Sequence, residues 1–164
     1  MFADDTKVIH DIQSEQDAIA LQADLRSLEE WSEKWLLKFH LGKCHVLTLG
    51  KHENIVCAYH YTLFNEELEH VFEEKDLGVV IDSELSFEDH VFQKVVKANN
   101  IVGIVGMIRR AFTYLDGESF KRLFVALVRP HLEYAQAVWS PKRKKLIAAV
   151  ENVQIRASKL VNNL

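Results

Sequence analysis

The sequence predicts an α+β fold in which a small antiparallel sheet with one packed helix is followed by a bundle of three helices. Three observations predict this fold. Apolar residues recur at three- and four-residue spacing in an early segment, short alternating or β-branched runs come next, and the helical spacing returns after Ser83. We therefore expect two regions, with the sheet in residues 1–82 and the helices in residues 83–164.

The first helix is predicted to begin near Ser14, because Glu15 and Asp17 occupy what would be its first turn, where the helix dipole favours negative charge. Its apolar positions form one stripe that should face a core: Ile19, Leu21, Leu25, Leu28, Trp31, Trp35 and Leu36. Since both tryptophans fall on this stripe, we expect them to pack in the core and not to bind a ligand.

Strand signals follow this helix. Short strands are predicted at about His45–Leu49, Val56–Tyr61 and Glu69–Glu73, with a turn near Asn65-Glu66. The clearest signal is a single strand at Lys75–Asp82, in which Gly78 would permit a bulge or a close backbone approach.

The last region has helical spacing. One helix is predicted from about Glu88 to Phe112, and a second begins after Asp116-Gly117 and is kinked or restarted at Pro130. A third runs from Lys142 to about Val161. Short connections between three helices are typical of a bundle.

Charge is distributed unevenly along the chain. Residues 1–82 carry 7 Lys and Arg against 17 Asp and Glu, and residues 83–164 carry 13 against 7, so the net charges of −10 and +6 make the total of −4. A basic helical region suits a surface that follows phosphates, although solvated helix faces carry similar charge. No uninterrupted apolar run approaches the roughly 18 residues of a membrane span, and no signal-peptide core is visible. We expect an intracellular protein with no membrane partner; the sequence does not indicate an oligomeric state.

Asp4 and Asp5 are adjacent carboxylates in an apolar-flanked segment at the start of the chain, followed by a predicted strand at about Lys7–His10. Two adjacent carboxylates repel each other unless water or a cation screens them. A divalent metal site is one explanation, because Mg²⁺ takes one or two protein carboxylates and completes its shell with water and substrate phosphates. The alternative is an ordinary turn near a chain terminus, where Asp is common.

Two cysteines and four histidines raise the alternative of a zinc site: Cys44, Cys57, His40, His45, His52 and His60. Structural zinc sites pair ligands two to four residues apart, and adjacent side chains cannot easily bind one ion together. The spacing therefore argues against zinc, and two cysteines are too few for a disulfide framework.

Four consecutive cations crowd the start of the third predicted helix: Lys142, Arg143, Lys144 and Lys145. Like charges repel each other there and oppose the helix dipole. Because an anionic partner would offset that repulsion, one interpretation is nucleic-acid binding through these residues, with Arg109 and Arg110 as further candidates. A solvated basic turn is the alternative.

Four groups of residues occur in a distinctive order. They are Phe2-Ala3-Asp4-Asp5-Thr6-Lys7; then Trp31-Ser32, Trp35, Lys38-Phe39 and Lys43-Cys44; then Leu77-Gly78-Val79-Val80-Ile81-Asp82; and last Val128–Ala135, Val138–Pro141 and Val153–Ala157. In this order they resemble the catalytic hairpin, the segment that follows it, the primer-grip hairpin and the segment after the palm in reverse transcriptases of LINE-type, non-LTR retrotransposons.

The resemblance implies an RNA-directed DNA polymerase that extends a DNA primer on an RNA template with two Mg²⁺ ions. It assigns metal binding and catalysis to Asp4 and Asp5, assistance of the pyrophosphate leaving group to Lys43, and contact with the primer 3′ end to Leu77 and Gly78. Residues 1–82 would then be a partial palm and residues 83–164 a thumb-like region that grips the duplex.

In that family the catalytic hairpin lies in the middle of the polymerase, and a preceding strand supplies a further carboxylate. We therefore expect this chain to be a truncated fragment that is inactive alone. The alternatives are a nucleic-acid-binding module without catalysis and an inert retroelement remnant.

Overall fold

A computed structural model describes residues 6–50, 59–111 and 116–161 and divides the chain into two compact units. The first contains the described residues up to Glu74 together with Ser83–Leu85, and the second contains Lys75–Asp82 and the described residues from Ser86 onward. The sequence predicts the boundary at residue 82, whereas the structure places Lys75–Asp82 with the helices.

The first unit begins with helix α1, Glu15–Trp35. Ser14 caps it in the predicted position: its side chain accepts a hydrogen bond from the backbone N–H of Asp17, and the Asp17 carboxylate accepts one from the backbone N–H of Ser14. This reciprocal capping box satisfies two donors that a helix start otherwise leaves unpaired. Leu36 ends the helix in the left-handed conformation, with φ at 56°.

The tryptophans of α1 are exposed, which corrects the prediction that they pack in the core. Trp31 and Trp35 are 41% and 60% exposed. Leu21 and Leu25 of the predicted stripe do pack against the core of the first unit, but the fully buried positions of the helix are Ala18, Gln22 and Ser32. Gln22 and Glu29 face the core side because they bond to the backbone at Thr62 and Phe64, and the Ser32 hydroxyl donates to the Leu37 carbonyl.

The clearest of these bonds come from Gln22, which is buried. Its Nε2 donates to the Thr62 carbonyl at 2.9 Å, and its Oε1 accepts from the Thr62 N–H at 2.9 Å. The Glu29 carboxylate likewise accepts from the Phe64 N–H. Apolar residues around these bonds form the core of the first unit, with Ala18, Tyr61, Leu63 and Leu68 at its centre.

Six short strands form three two-stranded ladders among the described residues, where the sequence predicts one antiparallel sheet. They are β1 (His45–Leu47), β2 (Thr62–Leu63), β3 (Glu66–Glu67), β4 (Glu69–Val71), β5 (Glu73–Asp76) and β6 (Val79–Asp82). β1 pairs with β4 in parallel, which the long connection between them permits, and β2 pairs antiparallel with β3. Lys7–His10 do not form a strand.

The predicted single strand at Lys75–Asp82 is instead part of a hairpin. β5 pairs with β6, and only Leu77 and Gly78 separate them. A two-residue link can join only antiparallel strands. The remaining predicted strand, Val56–Tyr61, lies mostly outside the described residues.

Helices make up most of the second unit. They are α2 (Glu88–Ala111), α3 (Gly117–Leu123), α4 (Arg129–Glu133), α5 (Gln136–Trp139) and α6 (Lys144–Val161), with a π-helical stretch at Phe124–Val128. The second predicted helix is not interrupted at Pro130, because the backbone stays right-handed helical from α3 through the π-helical stretch to the end of α4. The π-helical stretch lies just before Pro130, which lacks an N–H and whose ring would clash with the carbonyl four residues earlier in a regular helix. The chain leaves the helix at Tyr134 and Ala135.

Two apolar clusters hold this unit together. In one, Ala98 and Val102 of α2 pack against Val128, Leu132 and Val153. In the other, Val79 of the hairpin packs with Val91, Trp139 and Leu146. By length and mean hydropathy alone, Glu88–Ile108 could also cross a membrane, but core helices of soluble proteins satisfy the same criteria. One face of this helix contributes to both clusters.

Candidate nucleic-acid interface

The turn between β5 and β6 has a constrained backbone. Leu77 has φ at 44° and Gly78 has φ at 81°. Positive φ at both central residues defines a type I′ turn, which suits the twist of a hairpin and favours Asn, Asp or Gly. Gly78 meets this requirement at no steric cost, whereas Leu77 does not.

Two side chains hold this turn by its carbonyl oxygens. The Tyr134 hydroxyl donates to the Leu77 carbonyl at 2.7 Å, and Lys94 Nζ donates to the Gly78 carbonyl at 3.2 Å. The Lys94 nitrogen also lies 5.7 Å from the centre of the Tyr134 ring, within range of a cation–π interaction. The turn is therefore fixed by residues 16 and 57 positions away in the sequence.

A buried histidine on α2 forms a hydrogen bond with the backbone of β6 in this hairpin. His90 is 1% exposed, its Nδ1 accepts the Val80 N–H at 3.1 Å, and its ring lies 5.4 Å from the Trp139 ring. Because Nδ1 is an acceptor, the neutral ring carries its proton on Nε2, which has no partner among the described residues. Burial, and then the charge of Lys94, lowers the pKa of His90 to about 4.

The strain at Leu77 is not offset by burial of its side chain. A Leu at positive φ costs roughly 1–2 kcal/mol. Phe64 has a similar φ of 52°, but its side chain packs against the core of the first unit. The Leu77 side chain is 46% exposed and belongs to neither apolar cluster of the second unit. Leu36 and Leu85 also combine a positive φ with an exposed side chain. Leu77 differs from them in that its carbonyl and that of the next residue are each held by a side chain.

The basic run at residues 142–145 has an anionic partner within the protein. The Glu88 carboxylate accepts hydrogen bonds from Arg143 Nη1 at 2.9 Å and from Lys145 Nζ at 2.8 Å. These contacts, with Lys145 first, lower the pKa of Glu88. The repulsion within the run is thus offset in part by Glu88, and Lys142 and Lys144 form no ion pair with the residues described.

The other predicted site residues are placed as follows. Lys43 is exposed and ends a short 3₁₀ turn, Leu41–Lys43, just before β1. Arg110 is exposed near the end of α2. Asp4 and Asp5, which are the predicted metal ligands, lie outside the described residues, as does the side chain of Arg109. Within the described ranges, His, Cys, Asp and Glu side chains form no group of three or more that could hold a metal ion.

The sequence pattern assigned no role to four residues that lie at or near the candidate site: Glu88, His90, Lys94 and Tyr134. Tyr134 and Trp139 belong to the resembling segments Val128–Ala135 and Val138–Pro141, and in the structure the two residues are in direct contact. Trp139 is buried and donates its indole N–H to the Tyr134 carbonyl at 2.6 Å. Trp139 therefore positions the tyrosine that holds the Leu77–Gly78 turn.

Comparison with known proteins points to mobile genetic elements. The chain is 28% identical over 120 residues to the RNA-directed DNA polymerase from mobile element jockey of Drosophila funebris. The matched part covers 73% of this chain but only 13% of that protein. No family model matches the chain, and no solved structure matches it. The similarity supports a relationship to retrotransposon reverse transcriptases.

Proposed function

We propose that this chain is the part of a non-LTR retrotransposon reverse transcriptase that extends from the catalytic Asp pair through the end of the palm to a thumb-like helical region. The similarity to the jockey polymerase supports the relationship. The order of the four resembling groups of residues supports the finer assignment.

In this proposal each candidate residue has a defined role. Asp4 and Asp5 would hold Mg²⁺, which would activate the primer hydroxyl and stabilise the charge on the phosphates. Lys43 would assist the leaving pyrophosphate, and Leu77 and Gly78 would contact the primer 3′ end. The basic residues would contact the duplex backbone: Arg109, Arg110, Lys142, Arg143, Lys144 and Lys145.

The observation that carries the proposal is the double anchoring of the Leu77–Gly78 turn. The residues that resemble a primer grip form a turn whose two carbonyls are held by Tyr134 and Lys94. Tyr134 itself belongs to another of the resembling segments, so two motifs that are far apart in sequence meet at one place. A turn that is held at both carbonyls suits a surface that must locate a primer end.

We also propose that the 164-residue polypeptide does not polymerise by itself. Two-metal phosphoryl transfer needs a further carboxylate and residues that hold the nucleoside triphosphate, and the resembling segments supply neither. Primer extension on an RNA template with Mg²⁺ tests this directly, with Asp4→Ala as the control. Incorporation that is lost in Asp4→Ala would overturn the proposal of inactivity while supporting the polymerase assignment.

Nucleic-acid binding without catalysis is the second candidate, and the +6 charge of residues 83–164 favours it. Phosphate contacts release counterions, so the affinity for a duplex must fall as the salt concentration rises. Affinity that is absent or insensitive to salt would exclude this function.

A further inference from the structure

An apolar stripe runs along the solvent side of α2. Val96, Ile104 and Met107 are 58%, 49% and 55% exposed, and their spacings of eight and three residues place them on one side of the helix. The opposite side carries Ala98 and Val102, which belong to the core of the second unit. We refer to Val96, Ile104 and Met107 as the aliphatic stripe. Covering it with a partner would remove apolar surface from water and leave the core as it is.

A second exposed apolar surface lies on the first unit. Trp31 and Trp35 are one helical turn apart on α1, and both are exposed. We refer to these two residues as the aromatic patch. Tryptophan is enriched in protein–protein interfaces and is among the residues that contribute most to their affinity. The aromatic patch therefore suits contact with another protein surface.

The helices that carry these two surfaces are complementary in charge. α1 contains six acidic and two basic residues, whereas α2 contains two acidic and four basic residues. Pairing α1 with a second α1, or α2 with a second α2, would bring like charges together, but pairing α1 with α2 brings opposite charges together. Each copy of the chain exposes both surfaces, so a second copy supplies the partner of each.

The aliphatic stripe also has space for a large side chain. Gly103 precedes Ile104 on α2. Apart from its two neighbours and the backbone of its own helix, no described atom lies within 4 Å of where a Cβ would be at Gly103. This notch suits a tryptophan ring, because large side chains pack best where the facing helix has a small residue.

We propose that two copies of this chain associate through α1 of each copy and α2 of the other, with the aromatic patch packed on the aliphatic stripe. A two-fold axis forms this contact twice and closes the assembly as a dimer. The inference goes beyond the proposed function and does not rest on it, because no nucleic acid takes part in the contact.

Sedimentation velocity between about 1 and 100 µM tests the association, because small interfaces dimerise in this range. We expect the mass to rise with concentration from 18.9 kDa towards twice that value. Dimerisation should weaken as salt rises, because salt screens the opposite charges. A wild type that stays monomeric, that dimerises equally well or better at high salt, or that binds phosphatidylcholine–phosphatidylserine vesicles as a monomer would overturn the proposal.

One substitution in each surface tests which residues take part. Trp35→Lys places a cation against the basic α2, and Met107→Glu places an anion against the acidic α1. Each should weaken dimerisation at least about tenfold, which is typical of the loss of a central interface residue. Ile155→Lys and Ile155→Glu on α6 are the matched controls, since Ile155 is 48% exposed and lies outside both surfaces. The controls should dimerise as the wild type does.

A mixture of the two variants tests which helices pair. The Met107→Glu copy keeps a native α1 and the Trp35→Lys copy keeps a native α2, so the mixture regains one native contact and brings opposite charges together at the other. We expect a heterodimer, detected with a fluorescent label on one variant, that is more stable than either variant's homodimer. An effect of only one variant, which like-with-like pairing of helices requires, or a mixture that associates no better than its components would overturn the proposal.

Circular dichroism verifies the folding of each variant. Trp31→Lys and Ile104→Glu replace Trp35→Lys and Met107→Glu if either of these is unfolded, since they change the same two surfaces at other exposed positions. The same outcomes then apply to the replacement pair.

Discussion

Replacing His90 with asparagine tests whether a neutral, buried imidazole supports the hairpin that carries the candidate site. His90 Nδ1 accepts the Val80 N–H and joins β6 to α2, which it can do only without a proton on that nitrogen. The Asn oxygen can occupy nearly the same position as Nδ1, so His90→Asn keeps an acceptor there and removes the titration.

The size of the effect follows from the pKa of His90, which is about 4 in the folded protein against an ordinary value of 6.5. As the pH falls below 6.5, the unfolded chain takes up a proton at His90 while the folded protein does not. The free energy of unfolding therefore falls by up to about 1.4 kcal/mol for each pH unit in this window. His90 contributes roughly 3 kcal/mol that is fully present above pH 6.5 and lost by pH 4.

Urea unfolding at pH values between 4 and 7 measures this contribution. Trp139 is buried beside His90, so its fluorescence reports on the second unit. Trp31 and Trp35 are exposed in the first unit and should be replaced by phenylalanine in both proteins. Carboxylates with lowered pKa values, such as Asp116 and Glu88, also destabilise the folded state in acid, but they do so equally with and without His90.

The wild type should lose roughly 3 kcal/mol more stability than His90→Asn between pH 6.5 and pH 4. At pH 7 the variant should be less stable by about 1–3 kcal/mol, because the smaller side chain leaves a cavity beside Trp139. Parallel stability curves for the two proteins over this pH range would refute the reasoning, since they would show that His90 titrates alike in the folded and unfolded states.

Three further predictions concern the turn, the first unit and the basic run. Leu77→Asn should raise the free energy of unfolding by about 0.5–1 kcal/mol in urea titrations, because Asn tolerates positive φ. The same variant should weaken primer–template binding in anisotropy measurements. A lower free energy of unfolding in this variant would contradict the prediction. Gln22→Ala should destabilise by roughly 2–4 kcal/mol by leaving two backbone groups unpaired, against less than about 0.5 for the exposed control Gln16→Ala. Glu88→Gln should raise the affinity for a duplex, because it frees Arg143 and Lys145 from their ion pairs with Glu88. An unchanged or lower affinity would argue against duplex binding by these two residues.

Local signals were sufficient for the first helix. Ser14 and Asp17 are three residues apart and cap the helix by themselves, so the start of α1 can be predicted from a few adjacent residues. Its covered face could be predicted only in part, since Leu21 and Leu25 pack against the core as expected and the two tryptophans do not. Gln22 and Glu29 lie on that face because they bond to the backbone near Thr62 and Phe64, some 35 to 40 residues away, and no pattern of hydrophobicity within the helix reveals such partners.

The hairpin shows the same limit at the candidate site. Lys75–Asp82 reads as one strand because Leu77 is not a residue that normally marks a type I′ turn. Only the resemblance to a known hairpin indicated a turn there. The anchors Lys94 and Tyr134 could not be inferred from periodicity, since they meet the turn only after the helices have packed. The pairing of Glu88 with Arg143 and Lys145 is equally nonlocal.

Photo-crosslinking from the 3′-terminal nucleotide of a DNA primer annealed to RNA tests the central claim most directly. The primer would carry 4-thiothymidine at its end, and mass spectrometry would identify the crosslinked peptides. The account predicts crosslinks at the Leu77–Gly78 turn that weaken as salt rises. Crosslinks confined to other segments, such as residues 142–145 or α1, would contradict it.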